Sequence, residues 1–445
     1  MINRKDIIPL FFILIVTLVI FAVFLNKRPF TDEGSFCTIA QAVSNGSVLY
    51  RDIYNEKAPL PYMIASLFIN LGSNPIMVLR SIAFVFFLTT VFLIYLLGRM
   101  NMLNTSENTV LTTFFILTAP LYQSFNYTAE IIATPLILFV VWQIGKESEG
   151  KINFLTGFFS GLLIFIKQPF VLFALVAMVF AVRSGNIRKF FIPGFISALI
   201  FVFLLLKISG VYEPYIDNVI FTVKRYDIVS YMRLPYPNEY YQFAVILSLF
   251  IIIISGFVRK AVPLFDFLSL LSLMVVGIVR MDAFKLLPFF TVLVNVLSRK
   301  GVMSTLKNNS LILILLSCVS VCLYKDIIVQ RFDGIKAISY TIEAKTDSKD
   351  SIWVGPHEAN IYCLSRRRPS SKYFFLLPWI NRPEVLMTLS EDLIKRDPPA
   401  CLVDVSEFNK ATDYPLSKMI PEFSEIIRDF RDIQEINGAV IYCRR

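Results

Sequence analysis

Apolar runs recur along roughly the first 325 positions of this 445-residue chain, and no ordinary soluble core could bury so many of them. Hydrophobic residues make up 56% of the sequence and 42 of them are Phe. The first run, Ile7 to Leu25, is interrupted only by Pro9 and Thr17 and is long enough to cross a hydrocarbon core of ~30 Å. It is too long, and too lightly flanked on its C-terminal side, for a cleaved signal peptide, so it reads as an anchor. Reading apolar stretches against breakers and charges predicts about eleven transmembrane helices, at 7–25, 76–97, 109–123, 129–144, 152–166, 169–182, 190–206, 242–257, 261–279, 283–297 and 309–324. Several are shorter than the ~20 residues that a perpendicular span needs, which calls for tight hairpins whose ends are protected by neighbouring helices.

Charge sets the expected topology. With the N-terminus cytoplasmic, the inner segments hold Arg4, Lys5, Arg99, Lys146, Lys151, Arg183, Arg188, Lys189, Arg259, Lys260, Arg299, Lys300 and Lys307 against Asp6, Glu107, Glu147 and Glu149, as short inner loops should. Residues 1–324 carry 25 basic and 15 acidic side chains and 325–445 carry 18 of each, so the net charge of +10 belongs to the membrane part and gives no reason to expect a nucleic-acid partner. An odd number of spans places 325–445 outside, on an integral plasma (inner) membrane protein. The expected domains are a transmembrane catalytic domain, 1–324, with outer loops 26–75 and 207–241, and an extracytoplasmic domain, 325–445.

The first outer loop has helical spacing at Phe36, Ile39, Ala40 and Val43 and again at Leu60, Met63, Ile64, Leu67 and Phe68, predicting two short interfacial helices. In the second, Tyr212, Tyr215, Tyr226, Tyr231, Tyr236, Tyr240 and Tyr241 read equally as an aromatic belt or a cleft cover. From about 333 the pattern changes. Strands are predicted at 351–354, 373–376, 400–405 and 439–442, and helices near 335–345, 382–396 and 415–427, giving a small α/β domain. Cys318 and Cys322 fall within a span and Cys363, Cys401 and Cys443 form an odd set in the tail, so no disulfide framework is readable. His357 is the sole histidine, which excludes a His-rich metal site.

Ionisable groups at a membrane boundary are costly unless paired or used, and four such features stand out. Asp32 and Glu33 follow the first span. Glu130 opens the fourth, where a carboxylate also suits the helix dipole. Lys167 sits at a hairpin tip before Gln168-Pro169, where snorkelling competes with phosphate binding. Arg280, Asp282 and Lys285 precede Pro288, where internal ion pairing is the plain alternative. Arg51 and Lys57 lie in the dense stretch Leu49–Tyr62, which has the character of a segment handling a polar group. Acids for proton abstraction and cations for an anionic leaving group suit transfer from a phosphorylated lipid.

The chain resembles the GT-C glycosyltransferases that use polyprenyl-phosphate sugars, in the branch of the protein O-mannosyltransferases and the lipid A aminoarabinose transferase. The resemblance runs from Asp32-Glu33 through Gly46–Asp52 and Lys57-Ala58-Pro59-Leu60-Pro61-Tyr62 to Arg80, Glu130, Gly157 and Gly161 leading to Lys167-Gln168-Pro169. It continues with Trp353-Val354-Gly355, Ile361-Tyr362, Arg366–Pro369 and Ser371–Phe374. One departure is plain: where many relatives have a His-Tyr pair before the proline of a late span, this chain reads Asp282-Ala283-Phe284-Lys285-Leu286-Leu287-Pro288. The resemblance implies Asp32 as general base, with Glu33 and Glu130 positioning an acceptor or metal. It implies Lys57 and Lys167 as ligands of the carrier phosphate, with Arg51, Arg280 and Lys285 as further candidates. A divalent cation, if used, would fall to Asp32 and Glu130. The expected reaction is inverting transfer of a sugar from a polyprenyl-phosphate donor to a hydroxyl of a lipid, glycan or protein on the extracytoplasmic face. A lipid-linked solute transporter or flippase is the competing reading, although the polar groups cluster on one face rather than at midplane.

Overall fold

The structure is a computed structural model that describes residues 4–25, 27, 29, 31–144, 150–183, 185–225, 240–258, 262–278, 283–299, 316–323, 333–376, 380, 382–407, 416–420 and 422–444. Two compact units divide the chain: 1–27, 80–205 and 231–329 form a helical unit, and 28–79, 206–230 and 330–445 a second unit that contains the sheet.

Helix is present at every one of the eleven positions assigned to spans. Ile7–Leu25 and Ala129–Ile144 match residue for residue, and the last is seen at 316–323. Arg4–Leu25, Pro75–Met100 and Arg188–Ile208 are long and apolar enough to cross a hydrocarbon core. The chain is a polytopic α-helical membrane protein. Its outward apolar faces are unlike those of a soluble protein: in Ile7–Leu25, Ile8 is 80% exposed and Phe11 63%.

Small residues let the helices of this unit approach closely. A Cβ on Gly157 would stand 2.0 Å from the Phe191 carbonyl oxygen and one on Gly194 2.0 Å from that of Phe154, while Gly161 faces Ala198. Helices Gly150–Ile166 and Gly185–Ile208 therefore cross backbone against backbone, the solution available where lipid tails remove the hydrophobic drive between helices. Much of the phenylalanine serves the same packing, with Phe87 against Phe125 at 4.7 Å and Phe115 against Phe290 at 5.7 Å between ring centres. Helix ends are fixed locally. Asn104 caps Thr105–Thr118 in a reciprocal capping box with Glu107, and buried Arg80 donates to the carbonyls of Phe24, Leu25 and Lys27, closing the end of the first helix. Asp6 is fully buried yet bonded to Tyr95 at 3.0 Å and ion-paired with Arg99 at 3.1 Å.

In the second unit a five-stranded sheet has the order β2-β1-β3-β5-β4, where β1 is Ser351–Gly355, β2 Arg368–Pro369, β3 Cys401–Asp404, β4 Asp432–Ile436 and β5 Ala439–Cys443. The pairs β1/β2 and β1/β3 are parallel; β3/β5 and β5/β4 are antiparallel. Asp333–Lys345 and Pro383–Glu391 confirm two expected helices, whereas the third breaks into Leu416–Met419 and Phe423–Ile427. The expected strand at 373–376 is not a strand. Its apolar residues are buried, but its carbonyls serve side chains, Tyr373 accepting from the Trp353 indole at 3.0 Å and Phe374 from the Tyr362 hydroxyl at 3.1 Å. β4 escaped the sequence reading because most of its residues are exposed, so no apolar alternation marks it.

The two predicted short helices of the first outer loop are Thr31–Ser44 and Leu60–Phe68. Disulfides missed in the sequence join Cys37 to Cys363 and Cys401 to Cys443. The odd tail count resolves because one of the three pairs with a cysteine 326 positions away. Of the second outer loop, Tyr212–Arg225 is helical; residues 226–239, with Tyr226, Tyr231 and Tyr236, lie outside the described residues.

Candidate functional site

Helix Thr31–Ser44 begins one residue before Asp32, so Asp32 and Glu33 occupy its first turn rather than a loop. The free backbone N–H groups there favour negative charge by ~0.3–1 kcal/mol per carboxylate. Glu33 is fully buried, whereas the Asp32 side chain is 27% exposed and meets the Lys57 ammonium at 2.7 Å. Only Asp32 of the pair can both hold a partner and reach an incoming ligand. Lys57 also lies 5.2 Å from the centre of the Phe36 ring, one turn along the same helix.

The helix is anchored on its other side. Gly34 has no room for a side chain, since a Cβ would stand 2.5 Å from Asn360. Beyond it, Cys37 is bonded to Cys363, the Thr38 hydroxyl donates to the Ala359 carbonyl at 3.0 Å, and the Gln41 amide donates to the Cys363 carbonyl at 3.1 Å. Four successive contacts with Ala359–Cys363 fix the direction in which Asp32 leaves the helix. The Gly-x-x-Cys spacing of Gly34 and Cys37 was the available sequence signal, but it has meaning only once Asn360 and Cys363 are opposite.

The loop that presents Lys57 is equally constrained. Tyr50 is buried with a left-handed backbone, φ 67°, which costs a non-glycine residue of order 1–3 kcal/mol. Its amide donates to the Ile53 carbonyl at 2.9 Å and its hydroxyl to the Lys57 carbonyl at 2.7 Å. The Asn55 side chain accepts from the Lys57 amide at 3.0 Å, while Asn218, on helix Tyr212–Arg225, donates to the Asn55 carbonyl at 2.9 Å. Burial, with Tyr215 and Glu56 nearby, holds the Tyr50 phenol well above its ordinary pKa and therefore neutral.

Arg51 is exposed and bonded to Asp52 through two nitrogens, at 2.8 and 2.9 Å. That partner holds the Asp52 carboxyl below its usual range. Arg51 borders a cavity of about 230 Å³ in the same unit, walled by Tyr50, Tyr54, Asp217, Asn218, Lys372 and Tyr373.

In the helical unit, Glu130 lies in the first turn of Ala129–Ile144 and Lys167 precedes the short turn Gln168–Phe170. Their side chains are 4% and 15% exposed and form an ion pair. Lys167 thus turns inward to a carboxylate instead of extending to the surface. Breaking such a buried pair by removing one partner costs ~3–5 kcal/mol. Lys285 is partly buried in the turn Ala283–Leu286; Arg280 and Asp282 lie outside the described residues. Among the described residues no three His, Cys, Asp or Glu side chains gather to hold a metal ion. A divalent cation bound to Asp32 or Glu130 would have to take much of its oxygen shell from water or substrate.

No protein-family model matches the chain, and no curated protein matches it in sequence. Solved structures do match. ArnT from Cupriavidus metallidurans bound to undecaprenyl phosphate is 13% identical, with a TM-score of 0.61 over 98% of this chain and 98% of that one. The same protein in the apo state gives 0.62 at 13% identity with the same coverage. The oligosaccharyltransferase of Archaeoglobus fulgidus, 10% identical, covers 97% of this chain and 73% of its own at a TM-score of 0.45. Over nearly its whole length the chain has the fold of the two ArnT structures. At this identity the likeness is one of architecture.

Proposed function

We propose that the protein is a membrane glycosyltransferase that moves one sugar from a polyprenyl-phosphate donor to an acceptor hydroxyl, with inversion and with Asp32 as general base. The observation that carries this reading is the Asp32–Lys57 contact of 2.7 Å, on a helix and a loop that are each fixed by buried bonds, within a GT-C fold. In the resting arrangement the ammonium neutralises the carboxylate. The donor phosphate is a singly charged diester that offers Lys57 a second anionic partner. As Lys57 moves toward it Asp32 opens to the acceptor, and the contact strengthens as the phosphate departs as a doubly charged monoester. The acceptor oxygen then attacks the anomeric carbon as the bond from that carbon to the phosphate oxygen breaks. The hydroxyl proton passes to Asp32, and the departing polyprenyl phosphate keeps the bonding electrons, with Lys57 offsetting its charge.

In the helical unit the resemblance gives Lys167 a role toward the carrier phosphate and Glu130 one in positioning acceptor or metal, and their ion pair makes Glu130 the counter-charge of Lys167 as well; Lys285 and Arg280 remain further cationic candidates. The two disulfides support an oxidising, extracytoplasmic setting for the second unit, which agrees with the positive-inside orientation and a cytoplasmic N-terminus. Arg51, committed to Asp52 and solvent-exposed, is the weakest of the phosphate candidates.

The test uses purified protein in lipid nanodiscs and follows release of polyprenyl phosphate from a polyprenyl-phosphate sugar. Asp32→Asn is expected to lower turnover by ~10²–10⁴-fold while thermal melting and binding of undecaprenyl phosphate stay unchanged. Turnover near that of the unmodified protein would remove Asp32 from the role of base.

A further inference from the structure

The cavity of about 230 Å³ in the second unit is not used by the transfer step described above. Its wall has three aromatic rings, Tyr50, Tyr54 and Tyr373, with the Tyr54 and Tyr373 rings 5.3 Å apart at 49°. Between them stand a carboxylate, an amide, an ammonium and a guanidinium: Asp217, Asn218, Lys372 and Arg51, the last paired with Asp52. Tyr50, Tyr54 and Asn218 are buried, Lys372 is partly buried and Asp217 is exposed. Burial holds the Lys372 amine below its usual pKa, against the pull of Asp52, Asp217 and Asp392.

The combination selects a class of ligand. Ring faces take the C–H edge of a saturated ring, and a carboxylate, an amide and an amine together offer both acceptors and donors to several hydroxyls within one small volume. A polyprenyl tail would need a long apolar channel, and a simple anion would use Arg51 and Lys372 but leave the Tyr54 and Tyr373 rings unused. A peptide would need an extended groove with backbone partners. At 230 Å³ the space is below the ~300–1,000 Å³ of drug-sized pockets, so it suits a single ring.

Its location ties it to the base. The Tyr50 hydroxyl holds the Lys57 carbonyl, Asn218 holds the Asn55 carbonyl, and Asn55 in turn holds the Lys57 amide. Two side chains of the cavity wall thus fix the segment whose ammonium contacts Asp32. We infer that this cavity binds one pyranose ring of the acceptor, and that the acceptor is accordingly a glycan. The inference rests on the glycosyltransferase reading and deepens it by naming the acceptor class.

The experiment is saturation-transfer NMR on the full-length protein in detergent micelles, with millimolar methyl glycosides of hexoses, hexosamines and hexuronic acids as probes. Binding of undecaprenyl phosphate is measured in parallel. At least one glycoside is expected to show ring-proton transfer that falls at least tenfold in Asp217→Ala and in Lys372→Met, with undecaprenyl phosphate bound as before. Because Asp217 is exposed, its variant tests the cavity without threatening the fold. Equal glycoside signals in the unmodified and variant proteins, or no glycoside signal at all, would each overturn the inference. If undecaprenyl phosphate itself fails to bind the unmodified protein, the glycosyltransferase reading falls instead.

Discussion

Helices Gly150–Ile166 and Gly185–Ile208 of the helical unit meet backbone to backbone at Gly157 and Gly194, whereas the second unit joins segments hundreds of residues apart through Cys37–Cys363. The difference follows from the surroundings. In lipid, apolar surface gains nothing by burial against other apolar surface, so close packing and internal pairs such as Glu130–Lys167 must hold the helices. In the second unit an ordinary hydrophobic cluster forms around Trp353, Leu389 and Leu402, but the pieces contributed by 28–79 and 206–230 are short. A covalent link and buried backbone hydrogen bonds fix them.

The largest effect expected from breaking either arrangement is at the glycine crossing. Gly157→Leu would drive a side chain into the Phe191 carbonyl, where a Cβ alone stands 2.0 Å away. Neither backbone can yield without separating the helices, so the cost exceeds the ~1–3 kcal/mol of ordinary overpacking. The variant is expected to give little monodisperse protein in detergent, by size-exclusion chromatography; a monodisperse variant with unchanged melting would show that the crossing is looser than described.

Next comes the buried ion pair. Glu130→Ala leaves the Lys167 ammonium without its counter-charge and should lower stability by ~3–5 kcal/mol. Replacing both, as Glu130→Gln with Lys167→Met, should restore most of that stability because neither charge then needs a partner. If the pair serves donor binding, turnover stays low in the double variant. Recovery of turnover together with stability would leave the pair a structural role only. Thermal melts and polyprenyl phosphate release, measured on the same samples, separate the two.

Cys37–Cys363 closes a loop of 326 residues, and removing a native disulfide costs roughly 2–5 kcal/mol. In a Trp142→Phe background, which leaves tryptophan only at Trp353 and Trp379, Cys37→Ala with Cys363→Ala should therefore destabilise the second unit, read by tryptophan fluorescence, more than the protein's helix as a whole, read by far-ultraviolet circular dichroism. Equal shifts in both signals would mean that the units melt as one.

The same contrast decides how much of the molecule was legible in its sequence. Spans are written in contiguous apolar runs, which is why Ile7–Leu25 and Ala129–Ile144 are found to the residue. Long-range contacts are not. Nothing near Cys37 indicates Cys363, and nothing near Glu130 indicates that Lys167, 37 positions on, turns inward to it. Asp32 was visible as a carboxylate beside a span, but the resemblance gave it and Lys57 separate roles, and nothing in the sequence put the two side chains in contact. One signal was present and unread: Asn437-Gly438, with φ of 55° and 83°, is the tight hairpin turn that pairs β4 with β5. The left-handed Tyr50 carries no such mark, because its conformation is imposed by the Ile53 and Lys57 carbonyls and by burial.

The smallest expected effect concerns pH and again falls on the second unit. Burial raises the phenols of Tyr50 and Tyr362 above their ordinary value, Tyr362 being held between the Val354 amide and the Phe374 carbonyl. A group with a raised folded-state pKa keeps its proton where the unfolded chain has lost it, so its contribution is complete below ~10 and declines as pH rises through the folded-state value. The melting temperature of the second unit, read by tryptophan fluorescence in the Trp142→Phe background, should therefore hold constant from neutrality to pH ~10 and fall above it. Tyr362→Phe removes the titrating hydroxyl; it should lower stability by ~1 kcal/mol at neutral pH through the lost hydrogen bonds, and flatten the alkaline decline. A variant whose melting falls as steeply as the unmodified protein's above that pH would place the alkaline sensitivity elsewhere than in this phenol.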